Sequence, residues 1–292
     1  MRGRAACRRR GRLLMPVEAW LPWQAVLHWA GVAFYILATW FFAVEFCFGV
    51  GKGGARGGRL TAIGLVLHTA ALALRWWAVG HGPYMTRYEV LSSDAWMAVA
   101  LYLFVSRLRG GLKHTGLVVL PLSFLLMAAG LLTDPSVSCL PPSLRGVWLV
   151  FHILFAKVAA GSLCIAFGAA ALYLLKELQP EWRLSGRLPA LEIMDAYAHR
   201  FTSFGFIFWS IMIGAGAIWA DQSWGRYWAW DPVETWSLIT WLLFGAALHA
   251  RRFHGLRGRG AAWLTAGCFA LSLFTLFAVP FVTGSLHTEY FK

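Results

Sequence analysis

Charge is scarce in this chain. Asp, Glu, Lys and Arg make up 13% of its 292 residues, about half the share found in a soluble domain. Acid is the scarcer sign, with 13 Asp and Glu against 26 Lys and Arg. Together with 59% hydrophobic residues and a mean hydropathy of +0.60, that shortage excludes a soluble globular domain. Period-2 alternation is absent as well, which excludes a strand-built membrane barrel. Cysteine is sparse: Cys7, Cys47, Cys139, Cys164 and Cys268 include no C-x-x-C pair. A disulfide framework, a thiol-redox motif and a structural zinc site are unsupported, and apolar packing is the expected role of these cysteines. The sequence has no internal repeat, no ATP-binding motif and no low-complexity linker longer than "GKGGARGG".

What is present is a series of long apolar blocks. A block of about 20 residues crosses a bilayer as a helix. The blocks predict eight spans, over 24–48, 60–80, 95–107, 115–132, 147–175, 201–220, 235–251 and 261–284. The third is short and its start extends into the preceding loop. The fold class is therefore all-α: a polytopic membrane protein of about eight transmembrane helices, forming one integrated unit. The net charge of +13 does not point to nucleic acid, because the basic residues lie in short clusters between apolar blocks. One set of alternate loops carries Lys52, Arg56, Arg59, Arg107, Arg109, Lys113, Lys176, Arg183, Arg187, Arg200, Arg251, Arg252, Arg257 and Arg259. The other set carries Arg87, Arg145 and Arg226, with Lys292 at the end. This bias predicts that the first set is cytoplasmic. The segment 221–236, loops 81–94 and 133–146 and the C-terminus then face outward. The arginine-rich residues 1–12 oppose this orientation: either Met15 is the true start, the favoured reading, or the first span inserts differently. The loop 176–200 is the largest hydrophilic stretch and is expected to hold a short amphipathic helix on the membrane surface.

Histidine is costly within a bilayer and useful at its edge. His152 opens the fifth span and His287 closes the eighth, so both are expected at the outer face. Lys157, near the same interface, is expected to snorkel. Between those histidines in sequence lies "WGRYWAWDPVETW". Asp231 reads as an N-cap, Pro232 as the first helical residue and Glu234 as the third. The segment is thus an aromatic hairpin tied to the seventh span. Two imidazoles can ligate an iron from opposite sides, and indole faces can stack on a flat porphyrin. His249, near the inner end of the seventh span, and His68, in the second, form a candidate second site. His28 is a further candidate of lower weight. His81, in "GHGPYMTRYE", sits in a turn that cannot continue a helix; it is expected to lie under the tryptophan segment and is a candidate to bind the same ligand. His114, His199 and His254 read as inner-surface residues.

The stretch "GAIWADQSWGRYWAWDPVETWSLITWLLFGAALHARR" resembles the tryptophan-rich (WWD) domain of haem-handling membrane proteins. The similarity is to the CcsA/ResC family of cytochrome c biogenesis, called System II. "RWWAVGHGPYMTRYEVLSSDAW", "VWLVFHILFAKVAAG" and "GSLHTEY" agree with it. Residues 1–23 read as a basic extension and 24–58 as a first span and cytoplasmic loop, and the resemblance implies a haem-handling domain at 60–290 with its WWD segment at 221–236. It implies haem b as the bound substrate, with His152 and His287 as iron ligands at the outer face. His249 would serve haem passage, and Trp224, Trp228, Trp230 and Asp231 would form the platform. It also implies a CcsB/ResB-type membrane partner, an apocytochrome c bearing Cys-x-x-Cys-His, and residence in a bacterial cytoplasmic or thylakoid-type membrane. The implied activity is haem delivery and attachment within a holocytochrome c synthase complex. The alternative is a haem carrier, exporter or regulator of the HemX kind.

Overall fold

The computed structural model describes residues 19–49, 53–108, 110–133, 141 and 144–279. His287 and residues 1–18 of the expected basic extension lie outside them. Among the described residues eight α-helices follow one another: α1 (Leu21–Phe48), α2 (Gly53–Val79), α3 (Arg87–Leu108), α4 (Gly116–Leu131), α5 (Val147–Leu178), α6 (Leu191–Trp224), α7 (Pro232–Phe253) and α8 (Gly258–Leu273). A π-helical turn, Phe274–Ala278, continues α8. Among the described residues, seven helical segments are long and apolar enough to cross a membrane. Helix α7 has the length, at 22 residues, but Glu234, Trp236, Trp241 and His249 lower its hydropathy. Helix α3 begins at Arg87, within the predicted loop.

Helix α5 is the central element, packed against α3, α6 and α8. Its middle is built from small residues, among them Ala159, Gly161, Ser162, Ala166 and Ala169, all buried. Small side chains let helix backbones approach closely where no hydrophobic force drives them together. A Cβ on Gly161 would lie 2.8 Å from Leu101 and 3.4 Å from the Ala98 backbone, so glycine sets the α3–α5 approach. Around this seam the core gathers Tyr35, Val99, Met127, Leu163 and Trp209.

Two expectations change here. Lys157 does not snorkel: it is buried, and its Nζ donates to Asp94 Oδ1 at 2.8 Å. A buried charge left unpaired costs several kcal/mol, and Asp94 on α3 removes that cost. The loop 176–200 holds no separate amphipathic helix. It contains a 3-10 turn at Ser185–Arg187, and α6 starts at Leu191. The polar first turns of α6 are tied down instead. Asp195 accepts both Arg251 guanidinium arms, at 2.9 and 2.6 Å, and the Gly258 N–H at 3.2 Å.

Candidate functional site

Helix α6 ends at Trp224, where Gly225 adopts φ 71° and returns its N–H to Asp221 O at 2.8 Å. Six residues later Asp231 caps α7, accepting the Val233 N–H at 2.9 Å. Glu234 reaches back to the N–H groups of Ala229 and Asp231, at 2.8 and 3.2 Å. The capping box read from sequence is formed, and it fixes the connection from both sides. Trp228 and Trp230 meet edge to face, with centroids 5.9 Å apart. Trp230 is 70% exposed and Tyr227 60%, so this end of the bundle presents bare aromatic surface. Trp224 points the other way. It packs edge-on against Trp219 at 4.9 Å and joins the cluster of Met85, Leu144 and Leu149.

His152 faces the same cluster from α5. Its Nδ1 lies 2.9 Å from the Met212 carbonyl oxygen. A carbonyl only accepts, so Nδ1 donates, and Nε2 is the nitrogen through which a neutral ring would bind a metal. The ring lies nearly parallel to Trp219, at 6.2 Å and 23°. A continuous aromatic path therefore runs His152–Trp219–Trp224. Gly216 on α6 makes room for it, since a Cβ there would fall 2.6 Å from His152 Nδ1.

The loop before α3 packs beneath this group. Gly80 at φ 77° ends α2. His81 is buried, with its Nδ1 donating to Gly82 O at 2.8 Å and its ring against Tyr84. Glu89 holds the loop's end. It pairs with Arg75 at 2.7 Å, both side chains 1% exposed, and accepts the N–H groups of Met85 and Thr86 at 2.9 and 3.3 Å. Arg75 also lies over the Tyr88 ring, 4.9 Å from its centroid. This ion pair was not read from sequence. Its signal was the coincidence of Arg75 and Glu89 on either side of a Gly-His-Gly-Pro turn.

The remaining histidines separate. His68 turns toward His28, their rings 5.7 Å apart and edge-on. Ser92 Oγ lies 3.0 Å from His68 Nε2 and 3.5 Å from His28 Nδ1. The Tyr35 hydroxyl approaches His68 at 3.3 Å, the Tyr88 hydroxyl approaches His28 at 3.0 Å, and Gln24 donates to Tyr88. His249 takes no part: it is exposed, beside Phe253 and His254. The structure thus brings His68 to His28 and not to His249.

Residues 59–287 match the family described as Cytochrome C assembly protein. Similar curated proteins bear the name cytochrome c biogenesis protein CcsA. One from Guillardia theta is 32% identical over 253 residues, covering 78% of this chain and 83% of that protein. One from Synechococcus sp. (strain CC9605) is 32% identical over 231 residues, covering 70% and 76%. One from Trieres chinensis is 29% identical over 294 residues, covering 88% and 94%. Among solved structures, the cytochrome c heme lyase CcmF shares the fold, with a TM-score of 0.67 at 16% identity over 92% of this chain. The chain spans about half of that structure, 49%. With a family match running from α2 through the capped tryptophan segment and beyond, this chain belongs to the cytochrome C assembly protein family.

Proposed function

We propose that the chain holds haem b at the outer face of its membrane and presents it for covalent attachment to an apocytochrome c. The observation that carries this reading is His152: its Nδ1 donates to the Met212 carbonyl, which makes Nε2 the nitrogen that would meet iron, and its ring lies nearly parallel to Trp219. That arrangement fits an axial ligand. His287, outside the described residues, is the proposed opposing ligand, and Trp228 and Trp230 the surface for the porphyrin edge. Attachment adds each thiol of a Cys-x-x-Cys-His motif across a vinyl group, forming one C–S and one C–H bond with no net oxidation. The apocytochrome histidine then replaces one axial ligand and frees the product.

His249 is proposed as a second haem station on the cytoplasmic side. It lies 17 residues after Pro232 on α7, or about 26 Å along the axis at 1.5 Å per residue. The two stations therefore act in succession along the haem path. A CcsB/ResB-type protein is the proposed partner that receives the apocytochrome. The membrane is a bacterial cytoplasmic membrane or a thylakoid-type one.

The test is an absorption spectrum of protein purified in mild detergent from haem-replete cells, before and after dithionite. Sharp α and β bands on reduction are expected, weakened by replacing His152 or His287. Folded protein with no Soret band would overturn the reading.

Gly216→Ala offers a separate check. Alanine ordinarily favours a helix interior by roughly 0.5–1 kcal/mol over glycine. Here the methyl group drives His152 from Met212. The expected result is a folded protein whose reduced bands shift and whose haem content falls. Unchanged spectra would show that His152 does not need this position.

A further inference from the structure

At the opposite end of the bundle from the tryptophans, a cavity of about 300 Å³ opens between the end of α1, the 3-10 turn before α4 and the segment after α5. Phe42, Phe46 and Leu117 form its apolar wall, and Glu45, Lys113, His114 and Arg187 its polar side. Helix α1 has 28 residues and is roughly 42 Å long. The hydrocarbon core is about 30 Å thick, so the last turns of α1 stand at headgroup depth.

The polar groups are prearranged and incompletely used. Arg187 Nη1 donates to Phe46 O at 2.7 Å. Its guanidinium lies against Gly49, where a Cβ would come within 3.1 Å of Nη2. Lys113 Nζ pairs with Glu45 Oε1 at 2.6 Å. An ammonium carries three N–H donors and a guanidinium five, so each cation has capacity beyond that one bond. Two buried polar atoms of this cavity have no hydrogen-bond partner among the described residues: Glu45 Oε2 and His114 Nδ1. A carboxylate oxygen requires a donor, and the cations require an acceptor. A plain anion satisfies only the second need.

The geometry points to a site for an aminophospholipid headgroup, a phosphate carrying a primary ammonium on a short linker. Lys113 and Arg187 receive the phosphate, the fork of Arg187 suiting two phosphate oxygens. The ammonium donates to Glu45. Phe42, Phe46 and Leu117 line the start of an acyl chain. The site lies away from the His152 cluster and does not depend on what that cluster binds.

Native mass spectrometry of the full chain in detergent tests this. The probes are phosphatidylethanolamine, its mono-, di- and trimethylated derivatives, and phosphatidylglycerol, all with the same acyl chains. One phosphatidylethanolamine is expected to remain bound about tenfold more than the trimethylated lipid, the ratio for one charge-assisted hydrogen bond of ~1.4 kcal/mol. Retention should fall stepwise with each methyl group. Glu45→Gln should erase the difference, and Arg187→Gln should lower retention of every lipid. Equal retention of all headgroups by the unaltered chain, or preference for phosphatidylglycerol, would overturn the proposal. The methylation series needs no variant, so it stands if a substitution prevents folding. Displacement of the lipid by soluble phosphoethanolamine supports headgroup recognition. Equal displacement by inorganic phosphate would remove the ammonium half of the proposal.

Discussion

Replacing His152 with glycine is expected to stop cytochrome c maturation while leaving a folded membrane protein. The structural loss is small. One hydrogen bond to Met212 disappears, worth about 1 kcal/mol, and the half-buried ring leaves a gap beside Trp219. The functional loss is large. Altering a group that merely supports a metal ligand costs 10–100-fold in affinity or activity, and here the proposed ligand itself goes. Maturation of a co-expressed c-type cytochrome, read by haem staining, should fall at least about 100-fold. Imidazole at millimolar concentration should restore part of it, because glycine leaves a ring-sized space between Trp219 and Gly216. Recovery with imidazole separates a missing ligand from a damaged fold. Normal maturation in this variant would end the assignment of His152.

Glu89→Gln should produce the largest loss of stability. The substitution keeps the shape of the side chain and removes its charge. Arg75 then remains 1% exposed and loses the Glu89 charge, and breaking a buried pair this way costs about 3–5 kcal/mol. The carboxylate also holds the N–H groups of Met85 and Thr86, and Met85 packs in the cluster of Trp219 and Trp224. Loosening Glu89 therefore loosens the floor of the tryptophan segment. The melting temperature should fall by roughly 10 °C, with haem content falling in parallel. The double replacement Arg75→Met, Glu89→Met should recover much of the stability, since no buried charge is left. A single variant as stable as the parent would show that water already reaches this pair.

The helices were legible because most apolar blocks are long enough for a membrane crossing and alternate breaks carry basic clusters. The cap on α7 was legible because Asp231, Pro232 and Glu234 act within one turn. What escaped were pairings across long sequence distance. Lys157 and Asp94 are 63 positions apart, and neither helix announces which face meets the other. The same limit joined His68 to His249 on depth alone, whereas α1 and α2 pack together and deliver His28. The start of α6 was missed because Glu192, Asp195 and Arg200 look like loop residues until Arg251 is seen to neutralise Asp195. At the site, depth placed His152 near the tryptophans, but only packing shows that Trp219 connects them and that Trp224 faces inward.

Trp230 has φ 57°, in the left-handed region, where a side chain costs roughly 1–2 kcal/mol relative to glycine. Glycine would fit that backbone without cost. The chain carries its bulkiest side chain there instead, and leaves it 70% exposed, gaining little from burial. The position is thus a trade of stability for display. Selection for a tougher protein alone would drift this residue toward glycine, and a version bred for heat resistance without regard to activity should lose it early.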